Sequence, residues 1–290
     1  MLKLPLTEYI FHYQAQQQIT FPEYSGTLWH GVLGKALKDQ YCYTPNSPCQ
    51  GCLFANQCGY IQLFKNIALQ NNDFIRLYQS IPAPHIIRVR SERYIIKPFQ
   101  SFEINIILIA DTNQYLNKLI IAMQKVGLNG FGKNRKKANL KQVSQKTDLW
   151  QSSNSTNNKI RIQFITLFKP NGKMLKTKEF KLNLWVMGLI RRISLLYYFY
   201  TSKKLRVDFI DLKKQTQNIP ILAQALEWKY HFNLANRTNQ HQQNTGWLGW
   251  IEINLQDYPD LIPYLLLGQW LNTGKNASMG FGQYQLIEID

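Results

Sequence analysis

Three things are scarce in this sequence: cysteine outside one short window, acidic residues, and long uninterrupted apolar runs. All four cysteines lie between Cys42 and Cys58, which argues against a disulfide framework spread through a secreted fold. Only 17 Asp and Glu stand against 34 Lys and Arg, leaving a net charge of +17. Such an excess is costly in self-repulsion unless a polyanion sits against the surface. Nucleic acid is the commonest such partner and an anionic membrane surface its rival, with a merely soluble basic protein as the plain alternative. The most apolar stretch, Leu182 to Tyr200, is interrupted by Arg191 and Arg192, so no membrane span is expected. No basic amphipathic helix stands apart from the core, which disfavours the membrane-surface reading. Met1 to Tyr13 lacks the basic start, apolar block and cleavage site of a secretory leader, and a cytoplasmic protein is expected.

What is present is a chain of 290 residues, 45% apolar, able to bury a core and long enough for two ordinary domains. It repeats itself once. Gly130-Phe131-Gly132 and Gly280-Phe281-Gly282 each precede a strand-like run, 150 positions apart, which suggests a duplicated domain. The polar segment from Gln151 to Asn158 reads as a loop or linker between the copies. In the first half, Leu6–Tyr13, Ser91–Ile96 and Phe102–Ala110 pattern as strands, and a short strand-like run follows Gly132. Thr27–Gln40 and Asn113–Val126 pattern as helices, the former gathering Leu28, Val32, Leu33, Ala36 and Leu37 on one side. In the second half the strands are Lys159–Phe168, Gly246–Ile253 and Tyr284–Ile289, and the helices Phe180–Tyr200 and Tyr258–Leu271. The order predicts an α+β protein of two tandem ferredoxin-like (RNA-recognition-like) domains. The first spans 1–150 with a cysteine-rich insertion at 42–58; the second spans 151–290 and carries a glycine-rich loop.

Four stretches resemble a known family. They are Ser25-Gly-Thr-Leu-Trp-His-Gly-Val-Leu-Gly-Lys-Ala-Leu37, the Cys49-Gln-Gly-Cys52 region running to Phe64, Gly127-Leu-Asn-Gly-Phe-Gly132, and Leu265 through Gly282. Their order is similar to that in the CRISPR repeat-processing endoribonucleases of the RAMP superfamily, in the branch with a cysteine-containing first half. The resemblance implies two RNA-recognition-like folds side by side. It also implies metal-independent cleavage of CRISPR repeat RNA into guide RNAs for antiviral defence, and delivery of the product to an effector complex. The alternative within the same superfamily is a subunit that holds guide RNA without cutting it.

Cleavage of RNA without a metal needs a base for the 2′-hydroxyl proton, an acid for the leaving 5′-oxygen, and positive charge on the transition state. Of five histidines (His12, His30, His85, His231 and His241), His30 falls opposite the apolar side of its helix, with Gly31, Gly34, Lys35 and Lys38. An imidazole and two ammonium groups on one glycine-notched face suit that chemistry, and His30 and Lys35 are the expected catalytic residues. Tyr24, just before the helix, is placed to orient or protonate. An exposed histidine near a helix start is also commonly incidental.

For RNA binding, Gly274, Gly280 and Gly282 flank Lys275 directly after an apolar helix. Glycine lets backbone amides approach a phosphate, and Lys275 adds charge. A tight helix-to-strand turn would use the same glycines for positive φ alone. Lys133, Arg135, Lys136 and Lys137, with Lys141, form the first-half counterpart, read as a phosphate-tracking patch or as an ordinary solvated loop. Arg191, Arg192 and Arg237 extend the list, with Lys203, Lys204 and Arg206 beyond.

The cysteines are spaced C-x6-C-x2-C-x5-C (Cys42, Cys49, Cys52, Cys58). A structural zinc, an iron–sulfur cluster and free thiols all fit. A closed four-cysteine site leaves no open coordination position, so no catalytic metal is expected.

Overall fold

The computed structural model describes residues 2–65, 81–147, 149–150, 158–170, 174, 178–234 and 241–289, without the side chains of 232–234 and 241–243. The chain divides into two compact units. The first is Leu4–Leu149 with Leu195–Lys203; the second is Met1–Lys3, Trp150–Ser194 and Lys204–Asp290.

In the first unit, β1 (Leu6–Ala15) alternates so that Tyr9, Phe11 and Tyr13 share a face. It pairs antiparallel with β5 (Ser101–Ile109), bringing Phe11 opposite Ile104 and Tyr13 opposite Phe102. Outside them lie β3 (His85–Arg88) and β6 (Ala138–Lys146), giving the order β3-β5-β1-β6. Two helices, α1 (Gly26–Tyr41) and α3 (Leu116–Asn129), contribute Trp29, Leu33, Leu37, Leu119, Met123 and Val126 to the same buried cluster. A short helix, α2 (Gly59–Phe64), follows the cysteine loop and packs on α1. Each large side chain so buried contributes about 1.5–3 kcal/mol. A separate ribbon pairs β2 (Ile19–Phe21) with β4 (Tyr94–Ile96). Its Phe21 stacks on Trp29 at 5.5 Å and on Tyr94 at 4.9 Å.

The second unit repeats the scheme. Its sheet runs β10-β7-β9-β8, from β7 (Lys159–Phe168), β8 (Ile221–Leu234), β9 (His241–Asn254) and β10 (Tyr284–Glu288). Helix α4 (Leu182–Thr201) buries Trp185, Val186, Leu189, Ile190 and Ile193, and α6 (Ile262–Leu271) buries Leu265, Leu267 and Leu271. A further helix, α5 (Phe209–Asn218), starts at Asp208, whose carboxylate accepts from the amides of Ile210 and Asp211. Numbered within each unit, both sheets have the order 4-1-3-2 of a ferredoxin-like βαββαβ fold, as the strand and helix pattern predicts.

Two strands differ from the sequence-based expectation. Ser91–Ile96 is expected in the main sheet, but Tyr94–Ile96 belongs to the ribbon, and the sheet takes His85–Arg88 instead. A four-residue run preceded by Pro82 and Pro84 is too short to reveal its period. In the second unit β9 starts earlier than Gly246 and is partnered by β8, a strand that composition conceals. Its Ala223, Gln224, Ala225, Leu226, Glu227 and Lys229 are mostly exposed helix formers, so neither burial pattern nor propensity marks it. Among the described residues no helix is long and apolar enough to cross a membrane.

Candidate nucleic-acid interface

The first unit's expected catalytic residues do not share an open polar face. The ring of Phe64, on α2, lies 4.1 Å from the His30 ring. It also fills the notch at Gly34, where a Cβ would come within 2.5 Å of Phe64. His30 is therefore half-buried, and burial pushes its pKa down to about 3, with His85 and Lys65 acting in the same direction. Its imidazole is neutral at physiological pH and a weaker base than a solvated imidazole. Lys35 sits five positions on, about 140° around a helix of 100° per residue. It is exposed and donates to the Asp39 carboxylate at 2.7 Å. Tyr24 is buried with positive φ. Its hydroxyl is pushed up to about 12, by burial first and then by Glu23, so it stays protonated.

The same neighbourhood holds a histidine that the sequence does not single out beyond its presence. His85, the first residue of β3, is 2% exposed, and its Nδ1 is 2.7 Å from the Leu63 carbonyl. A carbonyl can only accept, so Nδ1 carries the proton. The His85 ring stacks 5.6 Å from Phe64 and lies 6.2 Å from His30. Lys65 reaches over Tyr60 beside them at 5.7 Å. His12 stands on the opposite sheet face from the core, its Nδ1 2.9 Å from Glu103 Oε1 and its Nε2 2.8 Å from Ser144 Oγ. The side chain of His241 lies outside the described residues.

The two Gly-Phe-Gly motifs occupy equivalent places, each between the second helix of its unit and the last strand. In the first unit Phe131 is buried, edge-on to Trp29 at 4.8 Å, and its amide and carbonyl pair with those of Lys136. The chain turns back between them, and Lys133, Arg135 and Lys137 point into solvent while Lys136 is half-buried. Gly130 has φ +80, and a Cβ there would strike the Arg135 backbone. The motif thus anchors a basic turn to the aromatic core.

In the second unit the glycines also answer a geometric need. Gly274, Gly280 and Gly282 all have positive φ, and a Cβ on Gly282 would collide with the Thr273 carbonyl. Many of the loop's amides are used internally. Thr273 bonds Gly282, Lys275 bonds Lys169 at 2.8 Å, and Gly282 bonds Leu167 at 2.9 Å. The Lys275 side chain is exposed. Arg192 Nε donates to the Leu271 carbonyl at 3.2 Å, so it pins the end of α6 where this loop begins. Arg191, one position earlier, is exposed. Arg237 lies outside the described residues.

The cysteines occupy the connection between α1 and α2. Cys58 Sγ donates to the Tyr41 carbonyl at 3.3 Å, Cys52 Sγ is 3.6 Å from Thr44 Oγ1, and the Cys52 amide bonds the Cys49 carbonyl at 3.3 Å. Burial pushes the Cys49 thiol up; Cys42 and Cys58 act on it in the same direction, Lys65 and Lys38 in the opposite one. As the side chains stand, no three His, Cys, Asp or Glu among the described residues are gathered to hold a metal ion.

Comparison with known families accounts for both units. Residues 4–163 match the model AF_1859_N, described as an N-terminal domain. Residues 160–284 match the model of the CRISPR-associated endoribonuclease Cas6. The second half of the chain therefore carries a Cas6 endoribonuclease domain. Solved structures share the fold of the chain over nearly its whole length. Thermus thermophilus Cas6 is 10% identical with a TM-score of 0.55, covering 98% of this chain and 99% of its own. A Cas6 in a substrate mimic complex is 12% identical with a TM-score of 0.52, covering 98% and 100%. A partial Cas6-RT-Cas1–Cas2 complex contains a chain 12% identical with a TM-score of 0.59, covering 99% of this chain. The present chain spans 46% of the length of that one. No curated protein matches in sequence.

Proposed function

We propose that this chain acts as a Cas6 endoribonuclease, binding CRISPR repeat RNA and cutting it without a metal ion. The 2′-hydroxyl attacks the adjacent phosphodiester, leaving a 2′,3′-cyclic phosphate and a 5′-hydroxyl. The observation that carries the reading is the match of residues 160–284 to the Cas6 endoribonuclease model. Charge supports it: a chain of net +17 presents exposed Lys133, Arg135 and Lys137 on the first glycine-flanked turn and exposed Lys275 on the second. In the mechanism, the neutral His30 takes the 2′-hydroxyl proton, and the exposed cations offset charge on the phosphate. Tyr24, protonated at the start of α1, is the proposed donor of the proton that the leaving 5′-oxygen takes, and Lys35 contributes its charge once Asp39 is exchanged for phosphate. The proposed setting is cytoplasmic, with repeat RNA as substrate. Proposed protein partners are a CRISPR effector complex or an assembly like the Cas6-RT-Cas1–Cas2 complex. Incubating the purified chain with end-labelled repeat RNA in EDTA tests this: a single cut with a cyclic phosphate end is expected. Binding without cleavage would favour the RNA-holding subunit.

Lys275→Ala should weaken RNA binding across sequences and lower the salt slope of log Kd by about one phosphate contact. Filter binding at several salt concentrations measures it. Unchanged affinity at low salt would leave the glycine-rich loop with its turn geometry alone.

A further inference from the structure

We propose that Cys42, Cys49, Cys52 and Cys58 together bind one structural zinc ion, and that this ion sets the position of α2 and so of Phe64 on His30. The first support is what holds the connection together. Residues 42–58 contain neither helix nor strand, and Leu53, Tyr43 and Phe54 are exposed. A connection this long without secondary structure is uncommon within a compact domain, and a bound ion would supply the cross-link that a ladder does not. Its internal hydrogen bonds are single turns, such as Ala55 to Cys52 and Cys58 to Phe54.

The second support is where the thiols fall. Cys42 is the residue that ends α1, with its amide on the Lys38 carbonyl, and Cys58 is the one that precedes α2. Cys49 and Cys52 lie on one tight turn, with Gly51 at φ +76 between them. A C-x2-C turn has the spacing at which two thiolates can converge on one zinc ion, and two more cysteines at the ends of the flanking helices would complete a four-sulfur set. Cys58 is buried in the first unit's core, and Cys49 and Cys52 pack against it. The Cys58–Tyr41 hydrogen bond brings the two ends of the connection together without a metal.

Binding converts thiols to thiolates and releases their protons. A thiolate has no proton to donate, so Cys58 gives up the Tyr41 carbonyl and Cys52 leaves Thr44 as the sulfurs close on the ion. The four-thiolate site carries two net negative charges, and Lys38 and Lys65 lie within electrostatic reach of Cys49. Because α2 follows Cys58 directly, the ion fixes the helix whose last residue, Phe64, covers His30 and fills the notch at Gly34. The inference stands apart from the proposed cleavage, since the ion is structural and touches no RNA.

The test uses the full chain, purified without a histidine tag. Elemental analysis should find about one zinc per chain. Titration with a mercurial in the presence of a chromogenic chelator should release that zinc as the four thiols react. Cys52→Ser should lose the zinc, while Cys52→His, which keeps a ligand, should retain it. A folded preparation without metal, iron with inorganic sulfide in place of zinc, or zinc that stays bound when all four thiols are blocked would each overturn the proposal. RNA cleavage is not the readout, so a chain that never cuts RNA still answers the question.

Discussion

His30→Ala slows single-turnover cleavage of repeat RNA by roughly 10²–10⁴-fold, the usual contribution of a positioned proton-transfer group. RNA affinity changes little, because a neutral imidazole supplies little of the attraction to phosphate. Burial sets the ring's protonation state: Phe64 packs on it, and it stays neutral at physiological pH. A base must be deprotonated to act, so the rate falls as pH drops through its pKa. That inflection is expected below the 6.5 of a solvated imidazole, although a bound phosphodiester raises it by favouring the imidazolium. His30→Gln keeps a polar side chain of similar length against Phe64 and separates loss of chemistry from loss of packing. Rate measurements with saturating enzyme isolate the chemical step. A normal rate in both variants would remove His30 from the mechanism and turn attention to His12, whose ring Glu103 holds.

Phe131→Ala destabilises the first unit by about 3–5 kcal/mol, the range for deleting a buried phenyl group. The ring is 2% exposed and meets Trp29, Phe21, Phe102 and Tyr13, so no single neighbour can collapse into the space it leaves. The effect reaches function through the backbone. Phe131 pairs with Lys136 across the turn that displays Lys133 and Arg135. Losing the anchor therefore loosens the basic turn, and RNA affinity drops as well. Denaturant unfolding followed by tryptophan fluorescence measures the first effect, and filter binding the second. Lys133→Ala should lower affinity without moving the unfolding midpoint. Stability unchanged in Phe131→Ala would mean that the motif is not anchored in the core.

Much of the fold was legible because burial leaves a period in the sequence. Lys159–Phe168 was bounded from its alternation alone, since Ile160, Ile162 and Phe164 face the core and Lys159, Arg161 and Gln163 do not. The long helix at Leu182–Thr201 and the duplicated Gly-Phe-Gly turns were visible for the same reason, as was their tandem arrangement. The strands at His85 and Ile221 were not. One is too short to show a period, and the other is an edge strand whose largely exposed faces impose none.

The site was less legible than the fold. A helical wheel sets His30 opposite Leu28 and Val32, but the side that α1 buries runs through Trp29, Leu33, Ala36 and Leu37, and Leu37 lies only about 20° around the helix from His30. The wheel describes one helix, moreover, and says nothing of Phe64, 34 positions later, which packs on the His30 ring. Arg192 has the charge of an RNA ligand, yet its guanidinium is committed to the Leu271 carbonyl, a partner 79 positions away. The sequence by itself determined the resemblance to the CRISPR repeat-processing endoribonucleases, the tandem architecture and the basic character, because these rest on local motifs, periodicity and composition. The tertiary structure alone decided which histidine is shielded, which cation is tied to backbone and which stays in solvent. Those properties depend on contacts between distant segments, and nothing in a residue's own neighbourhood along the chain records them.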